Sequence, residues 1–356
     1  MITIAILIIG VLGLLVSIIA ALVNFAIFLE AWLVASVFWI SIPLGALALR
    51  MLHRLTGGAW GIFARPALDS AIFTLPLGLV VFIPLIGASL VFPWAGADAT
   101  ATDPTTAYAA YFSLPAFILR SLGYFLIWGI LAALLSTGDP EKRSSVASAI
   151  GLILWLITTV LFVVDWILGL SPDWSVKSFP VTVVSGMVMT ALTWLVLSTS
   201  STGPTQSRDK ALLCSDLARM LFAAICFWLY LMFIQYLVVW TGNLPDQITW
   251  YLERRNTVWQ ILAWLFFVVM TVVAIGGLSG SQTNFRRSTL IAIASVLLVA
   301  EMLAAVWLIL PSTESQDVAL VWAIPAALLG LGGIWTTVFR LLLRRRVLRQ
   351  EALHYG

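Results

Sequence analysis

Charge is what this sequence has least of. Only 10% of its 356 residues are Asp, Glu, Lys or Arg, against about 25% in soluble domains. With 62% of the residues hydrophobic, the chain needs lipid as its solvent. Histidine is nearly missing: there is His53, and there is His354 in the polar tail. A bis-histidine haem in a membrane needs two ligands on facing helices, and this pair cannot supply them. Cysteine is limited to Cys214 and Cys226, set too far apart on one predicted helix to pair with each other. No C-x-x-C and no iron–sulfur spacing occurs. The chain by itself is therefore expected to bind no haem, no iron–sulfur cluster and no zinc. A net charge of +3, with the basic residues in short clusters between apolar spans, is no nucleic-acid signature.

What is present is oil in blocks. A spanning helix needs about 20 apolar residues, and ten blocks of that kind can be drawn: 3–23, 27–52, 68–92, 112–136, 145–169, 179–199, 212–240, 257–279, 287–310 and 318–342. The fold class is all-α, a polytopic membrane protein forming a single transmembrane domain over 1–356. The first 22 residues carry no basic start and no cleavage site, so they read as a retained span. The first connection is so short that spans one and two must form a tight hairpin. Pro43, Pro76, Pro84, Pro115 and Pro325 fall inside spans, where neighbouring helices can satisfy the carbonyls they free. The 17 tryptophans suit the membrane interface, where the ring is buried and the N–H stays wet.

Orientation follows from the basic residues. One set of connections holds Arg50, Arg54, Arg65, Lys142, Arg143, Arg208, Lys210, Arg286 and Arg287, and the tail over 343–356 follows them with Arg344, Arg345, Arg346 and Arg349. The other set holds only Lys177, Arg254 and Arg255. The positive-inside rule puts both termini in the cytoplasm. The stretches "LSPDWSVKSF" and "GNLPDQITWYLERR" then face outward. In the second, Gly242 is expected to end a helix in the left-handed conformation and Pro245 to prevent its resumption. Asp173, Trp174, Asn243, Asp246, Trp250, Arg254 and Arg255 are the candidates for docking a partner there. The plainer alternative is an interfacial cap that touches nothing.

A charge at the bilayer centre costs at least about 2.5–3.5 kcal/mol, so ionisable groups within spans must pair, reach water or become neutral. His53, Asp69, Asp216 and Arg219 lie toward inner ends; Glu30, Arg120, Asp165 and Glu301 lie in outer halves. Asp216 and Arg219 share a helix face three residues apart, as an interfacial pair would. Arg120 and Asp165 sit at similar depth on consecutive antiparallel helices and are expected to meet, either as a structural ion pair or as a proton-relay or quinol-contact pair. Glu301 has no cation near it in sequence and must be neutral or face a polar cavity. His53, Asp69, Asp216, Glu301, Asp165 and Arg120 are the proton-pathway candidates; Arg120 and Asp165 are also the quinol-contact candidates. No residue is assigned as catalytic.

Three stretches carry a family resemblance: "FWISIPLGALALRMLHRLTGGAWGIFARPALDSAIFTLPL", "VDWILGLSPDWSVKSF" and "FWLYLMFIQYLVVWTGNLPDQITWYLERR". In this order they resemble the membrane subunits of alternative complex III, a quinol:cytochrome c oxidoreductase, within the NrfD-like superfamily that also contains the membrane anchor of polysulfide reductase. The ending "LRQEALHYG" is similar too, and the loops favour the F type of subunit. The chain departs from the family pattern at Ile234, Gln247, Val176 and Pro180, as a divergent branch would. The resemblance implies ten spans with two four-helix bundles, here 27–169 and 179–310. It implies an iron–sulfur subunit, c-type cytochrome subunits and a second NrfD-like membrane subunit as partners, with haem c and iron–sulfur clusters held by those partners, and quinol as a ligand. It implies a scaffolding, proton-conducting subunit in a bacterial inner membrane, without a redox centre of its own. The competing readings are a quinol-binding NrfD-like subunit of another respiratory oxidoreductase and a stand-alone secondary transporter, which buried acids and ten spans also allow.

Overall fold

In the computed structural model, the residues described are all but 87–90, 96–110, 137–144, 172–177, 203–206, 279–286, 314–316 and 356. A single residue, Asn24, separates α1 (Ile2–Val23) from α2 (Phe25–Thr56). Its side chain accepts from the amides of Ala26 and Ile27, which satisfies two of the donors a helix start leaves open. The remaining helices are α3 (Ala59–Ile72), α4 (Leu75–Ile86), α5 (Leu114–Ser136), α6 (Ser145–Trp166), α7 (Phe179–Thr202), α8 (Ser207–Thr241), the short α9 (Pro245–Leu252), α10 (Val258–Val272), α11 (Arg287–Ile309) and α12 (Leu320–Tyr355). The described residues contain no strand. Ten helical segments are long and apolar enough to cross a membrane.

The third span differs from the expected 68–92. It runs over Ala59–Ile86 and is broken at Phe73 and Thr74 between α3 and α4. Gly57 and Gly58, with φ of 72° and 102°, make the turn before it, a conformation that glycine adopts without a Cβ clash. The helix starts earlier than hydropathy suggests and carries Arg65 within it, partly exposed and 3.6 Å from Asp69 one turn on. Of the five prolines expected inside spans, Pro43, Pro84 and Pro325 lie within helices, as does Pro66 in α3. Pro76 and Pro115 instead take the second position of α4 and α5, where the missing N–H costs nothing. The tail from 343 onward continues α12, which stays helical to Tyr355.

Helix α2 is the central post. It is buried on all sides over most of its length, as an apolar-all-round helix in a bundle core must be. It packs against α3, α4 and α6, of which α4 and α6 also engage α5, and against α7. Helix α7 packs against α8 and α11, and α11 against α10. At the α2–α7 crossing, a Cβ on Gly45 would stand 2.5 Å from the Met187 carbonyl oxygen, so glycine sets the separation.

The pair α1–α12 closes against α2. Lipid tails are as apolar as leucine, so helices associate in a membrane by close van der Waals fit. Gly10 and Gly13 supply it here: a Cβ on Gly13 would lie 2.5 Å from the Gly330 nitrogen, and one on Gly10 would lie 2.9 Å from the Gly333 backbone. The seam's glycines stand in the sequence as "GVLG" and "GLGG", but nothing there says that the two stretches face each other. Tryptophan also behaves differently from an interfacial belt. Trp240 and Trp264 face outward, but Trp128, Trp166, Trp250 and Trp335 are fully inside, with Trp128 Nε1 donating to Thr158 and Trp335 Nε1 to Thr74.

Candidate functional site

Four places hold most of the ionisable groups, and the Asp216–Arg219 pair and Glu30 stand apart from them. The first is the pair expected from depth. Asp165, on α6, is wholly buried and accepts from Arg120 Nε and Nη2 on α5, both at 3.0 Å, and from the Tyr124 hydroxyl at 2.7 Å. A planar guanidinium matches a carboxylate in this two-point manner. The third nitrogen of Arg120 donates to the Tyr111 carbonyl at 2.7 Å, and its carbon lies 3.8 Å from the centre of the Tyr111 ring. Burial, with the Asp165 charge beside it, pushes the Tyr111 phenol up to about 12. Both tyrosines join this site unforeseen: Tyr124 lies one helical turn beyond Arg120, a spacing that could have shown it.

The second place is Glu301 on α11. Its Oε1 accepts from the Thr193 hydroxyl of α7 at 2.8 Å. Its Oε2 is buried and meets no hydrogen-bond donor. A cavity of about 70 Å³ lies against it, lined by Ser41, Thr182, Thr190, Trp228 and Met270 among others. An apolar cavity large enough for a water stays dry, but a carboxyl and three hydroxyls offer a water the partners it needs. Thr193 and the other hydroxyls were not singled out from the sequence, because a lone threonine in an apolar helix carries no signal until its neighbour across the bundle is known.

The third place gathers Asp69 with three arginines. Arg50 Nε on α2 lies 3.0 Å from it, Arg65 on α3 lies 3.6 Å away and Arg346 on α12 lies 3.8 Å away. Asp69 is therefore committed to ion pairing. His53, at the same end of α2, has Nε2 2.9 Å from the Gly58 carbonyl and its ring edge-on to Trp60. Asp216 and Arg219 are 3.8 Å apart on α8, with Arg219 largely exposed on the protein surface. Glu30, at the far end of α2, accepts from the Thr313 hydroxyl at 3.1 Å. Among the described residues, no hydrogen bond or ion pair joins Asp69, Asp216 or His53 to Glu301, or Glu301 to Asp165.

The fourth place is the cap over 240–259. Asn243, at φ 44°, takes the left-handed conformation expected of Gly242. Asparagine tolerates that region better than other side chains, and Gly242 is held by its amide to the Val238 carbonyl at 2.9 Å. Pro245 starts α9 rather than only blocking a helix. Arg254 is 3% exposed. It donates to the Trp250 carbonyl at 2.8 Å and the Ser312 hydroxyl at 3.0 Å, and stacks 3.6 Å from the Trp250 ring centre. Burial pushes its guanidinium down to about 9 against the pull of Glu253, so it is still a cation at neutral pH. Arg254 and Trp250 thus hold the cap together from within, and both side chains are buried in this chain. Asn243 and Arg255 are exposed. Only the backbone of Asp246 is described, and Asp173 and Trp174 lie outside the described residues. Among the described residues no cluster of His, Cys, Asp and Glu suits a metal ion.

Compared with known proteins, the chain matches no family model and no curated protein sequence.

Proposed function

We propose that the chain is a membrane subunit of a quinol-oxidising respiratory complex of the alternative complex III kind, F type, scaffolding its partners and carrying protons without a redox centre of its own. The arginine-rich ends of the helices then face the cytoplasm of a bacterium and the cap over 240–259 faces outward. Pairwise packing of α2 with α3, α4 and α6, and of α7 with α8 and α11, supports two four-helix bundles meeting at α2 and α7. The observation that carries the proton reading is Glu301: a buried carboxyl with one oxygen unsatisfied, set against a mostly apolar cavity whose lining includes the hydroxyl residues Ser41, Thr182 and Thr190. Buried polar atoms are nearly always paired, and exceptions mark water, ions or proton chemistry. Of the acids among the six candidates it is the one with a buried oxygen that meets no donor, whereas Asp69 and Asp216 are tied to arginines.

Arg120 and Asp165, with Tyr124, form a separate polar site near the start of α5 and the end of α6, where a quinol hydroxyl would find a carboxylate and a phenol. Quinol contact there is the second reading, favoured by the partial exposure of Arg120 at 20%, which leaves an approach to an otherwise closed pair. Purification in mild detergent tests the assignment first: co-purifying haem proteins and an iron–sulfur subunit are expected, and a chain that comes out alone and transports a solute refutes it. In the reconstituted complex, Glu301→Gln should lower proton release per quinol. An unchanged stoichiometry in both Glu301→Gln and Asp165→Asn would remove the proton role.

A further inference from the structure

Glu301 is 5% exposed, and among the described residues it takes part in none of the ion pairs. A carboxylate left alone within a membrane span is costly, so its surroundings decide what neutralises it. Among the described residues, no other titratable side chain lines the cavity of about 70 Å³ beside it. Arg254 of the cap reaches α11 at the Leu308 carbonyl, seven residues past Glu301 and about 10 Å along the helix.

The hydroxyls around this cavity have already committed their protons. A hydroxyl carries one hydrogen and two acceptor lone pairs. Ser41 donates its hydrogen to the Val37 carbonyl at 2.7 Å, Thr190 to the Gly186 carbonyl at 3.0 Å and Thr182 to the Ser178 carbonyl at 3.3 Å. What these three can turn toward the cavity is lone pairs. Glu301 adds Oε2, which is buried and meets no donor, while Thr193 holds Oε1 at 2.8 Å and so fixes the carboxyl in place. The side-chain donors in the lining are the indole N–H groups of Trp228 and Trp307. That of Trp307 is buried with no acceptor and lies six residues past Glu301, about 9 Å along α11, a separation that suits a water between them. The methionines of the lining add only sulfur, a weak acceptor that does not compete for a hard ion.

Packing sets the levels of these oxygens. Gly45 sits against α7, where its Cβ would stand 2.5 Å from the Met187 carbonyl oxygen and 2.6 Å from the Ala191 Cβ. Thr190 lies between those two contacts on α7, and Ser41 is one turn from Gly45 on α2. Thr193, which bonds Glu301, is one turn from Thr190. Thr182 is eight residues from Thr190, about 12 Å along the helix, and belongs to another level. Glu301 Oε2, Thr190 Oγ1 and Ser41 Oγ remain as the oxygens at one level of the cavity.

Oxygens that accept and do not donate suit a cation, and a hard one. One carboxylate carries one charge. A monovalent ion therefore leaves the buried site neutral, whereas a divalent ion leaves it net positive, which burial penalises. The cavity has room for an ion and a few waters, well short of the several hundred Å³ of an organic ligand's pocket. We propose that Glu301, Thr190 and Ser41 form a binding site for a sodium ion, with waters completing its shell and one of them accepting from Trp307. The inference rests on the reading of Glu301 as an ion-carrying carboxyl and names a second ion for it. A carboxylate that holds sodium through Oε2 keeps no proton there, so the two ions compete for one position and acid displaces the metal.

Equilibrium binding of radioactive sodium tests this on the full chain, purified in mild detergent with any subunits it retains. Saturation at a single ion per chain is expected, with displacement by unlabelled sodium but not by choline or magnesium at equal ionic strength. The apparent affinity should fall about ten-fold for each pH unit once the carboxyl begins to protonate. Glu301→Gln should abolish binding. Thr190→Val, which keeps the shape and removes one oxygen, should weaken it about ten-fold or more, and Asp216→Asn on α8 should leave it unchanged. Lack of saturable binding by the unmodified chain would overturn the proposal, as would equal displacement by choline, binding indifferent to pH, or full binding in Glu301→Gln or Thr190→Val. Absent sodium binding together with a lowered proton release per quinol in Glu301→Gln would remove the sodium site and leave the proton reading standing. Sodium binding with unchanged proton release would do the opposite.

Discussion

Removing Arg120 should harm the protein more than removing Asp165, and the reason lies in their unequal burial. The side chain of Asp165 is 0% exposed and that of Arg120 is 20% exposed. Breaking a buried ion pair costs about 3–5 kcal/mol, because the surviving charge is stranded. In Arg120→Gln the stranded group is the wholly buried carboxylate, left with the Tyr124 hydroxyl, which places the loss at the upper end, about 4–5 kcal/mol. In Asp165→Asn the stranded group is an arginine that still has the Tyr111 carbonyl and ring and some access to the membrane surface, so about 3 kcal/mol is expected. Tyr124→Phe removes one hydrogen bond to a charged group and should cost about 1.5 kcal/mol. The double variant Arg120→Gln with Asp165→Asn strands nothing and should be more stable than Arg120→Gln alone. The assay is reversible unfolding in mixed micelles titrated with a denaturing detergent, read as a double-mutant cycle. A coupling of about 2 kcal/mol or more is expected, against about 0.6 kcal/mol for an average hydrogen bond between membrane helices. Additive losses, or a milder effect for Arg120→Gln than for Asp165→Asn, would refute the claim that a stranded charge controls the outcome.

Two further tests reach other parts of the fold. Gly13→Ala should destabilise the α1–α12 pair by about 1–3 kcal/mol of overpacking, since its Cβ would lie 2.5 Å from the Gly330 backbone; Gly123→Ala, with nothing within 4 Å of its Cβ, should instead stabilise by about 0.5–1 kcal/mol, so the same denaturation assay must return opposite signs. Burial pushes the Tyr251 phenol in the cap up to about 12, above its ordinary value of about 10, so the folded state keeps that proton longer than the unfolded chain. Its contribution to stability is whole below pH of about 10 and is lost as pH rises toward about 12; phenolate absorbance should show a late-titrating group that Tyr251→Phe removes.

The spans are legible in the sequence because lipid imposes one rule on every one of them, a run of apolar residues long enough to cross. That rule fails where charges cancel. Arg65 reads as part of a connection, yet it sits inside α3, one turn before Asp69 and 3.6 Å from its carboxylate. Pairs close in depth on neighbouring antiparallel helices are legible too, and counting residues back from the outer ends of two consecutive spans is enough to match Arg120 with Asp165. Arg346 cannot be matched to Asp69 in that way, because nothing in the sequence says which helix the final one lies against. The glycines that answer the question, Gly10 and Gly13 against Gly330 and Gly333, carry no charge and little hydropathy. Their meaning is an absence of side chain, visible only when two backbones are already close.

The same limit explains the cap. Trp250 and Arg254 have the composition of a docking surface, since aromatic residues and arginine dominate protein interfaces. An arginine with a satisfied carbonyl, a hydroxyl and an indole face around it is equally a means of closing a loop over a helix bundle. Sequence gives the residue types in both cases, and what separates them is whether the guanidinium's partners belong to the same chain. Here they come from α9 and from the turn after α11, so Arg254 spends its donors inward. Asn243 and Arg255 stand exposed on the rim of the cap, whereas Arg254 is buried within it, so substituting Arg254 is expected to act first by loosening the cap itself.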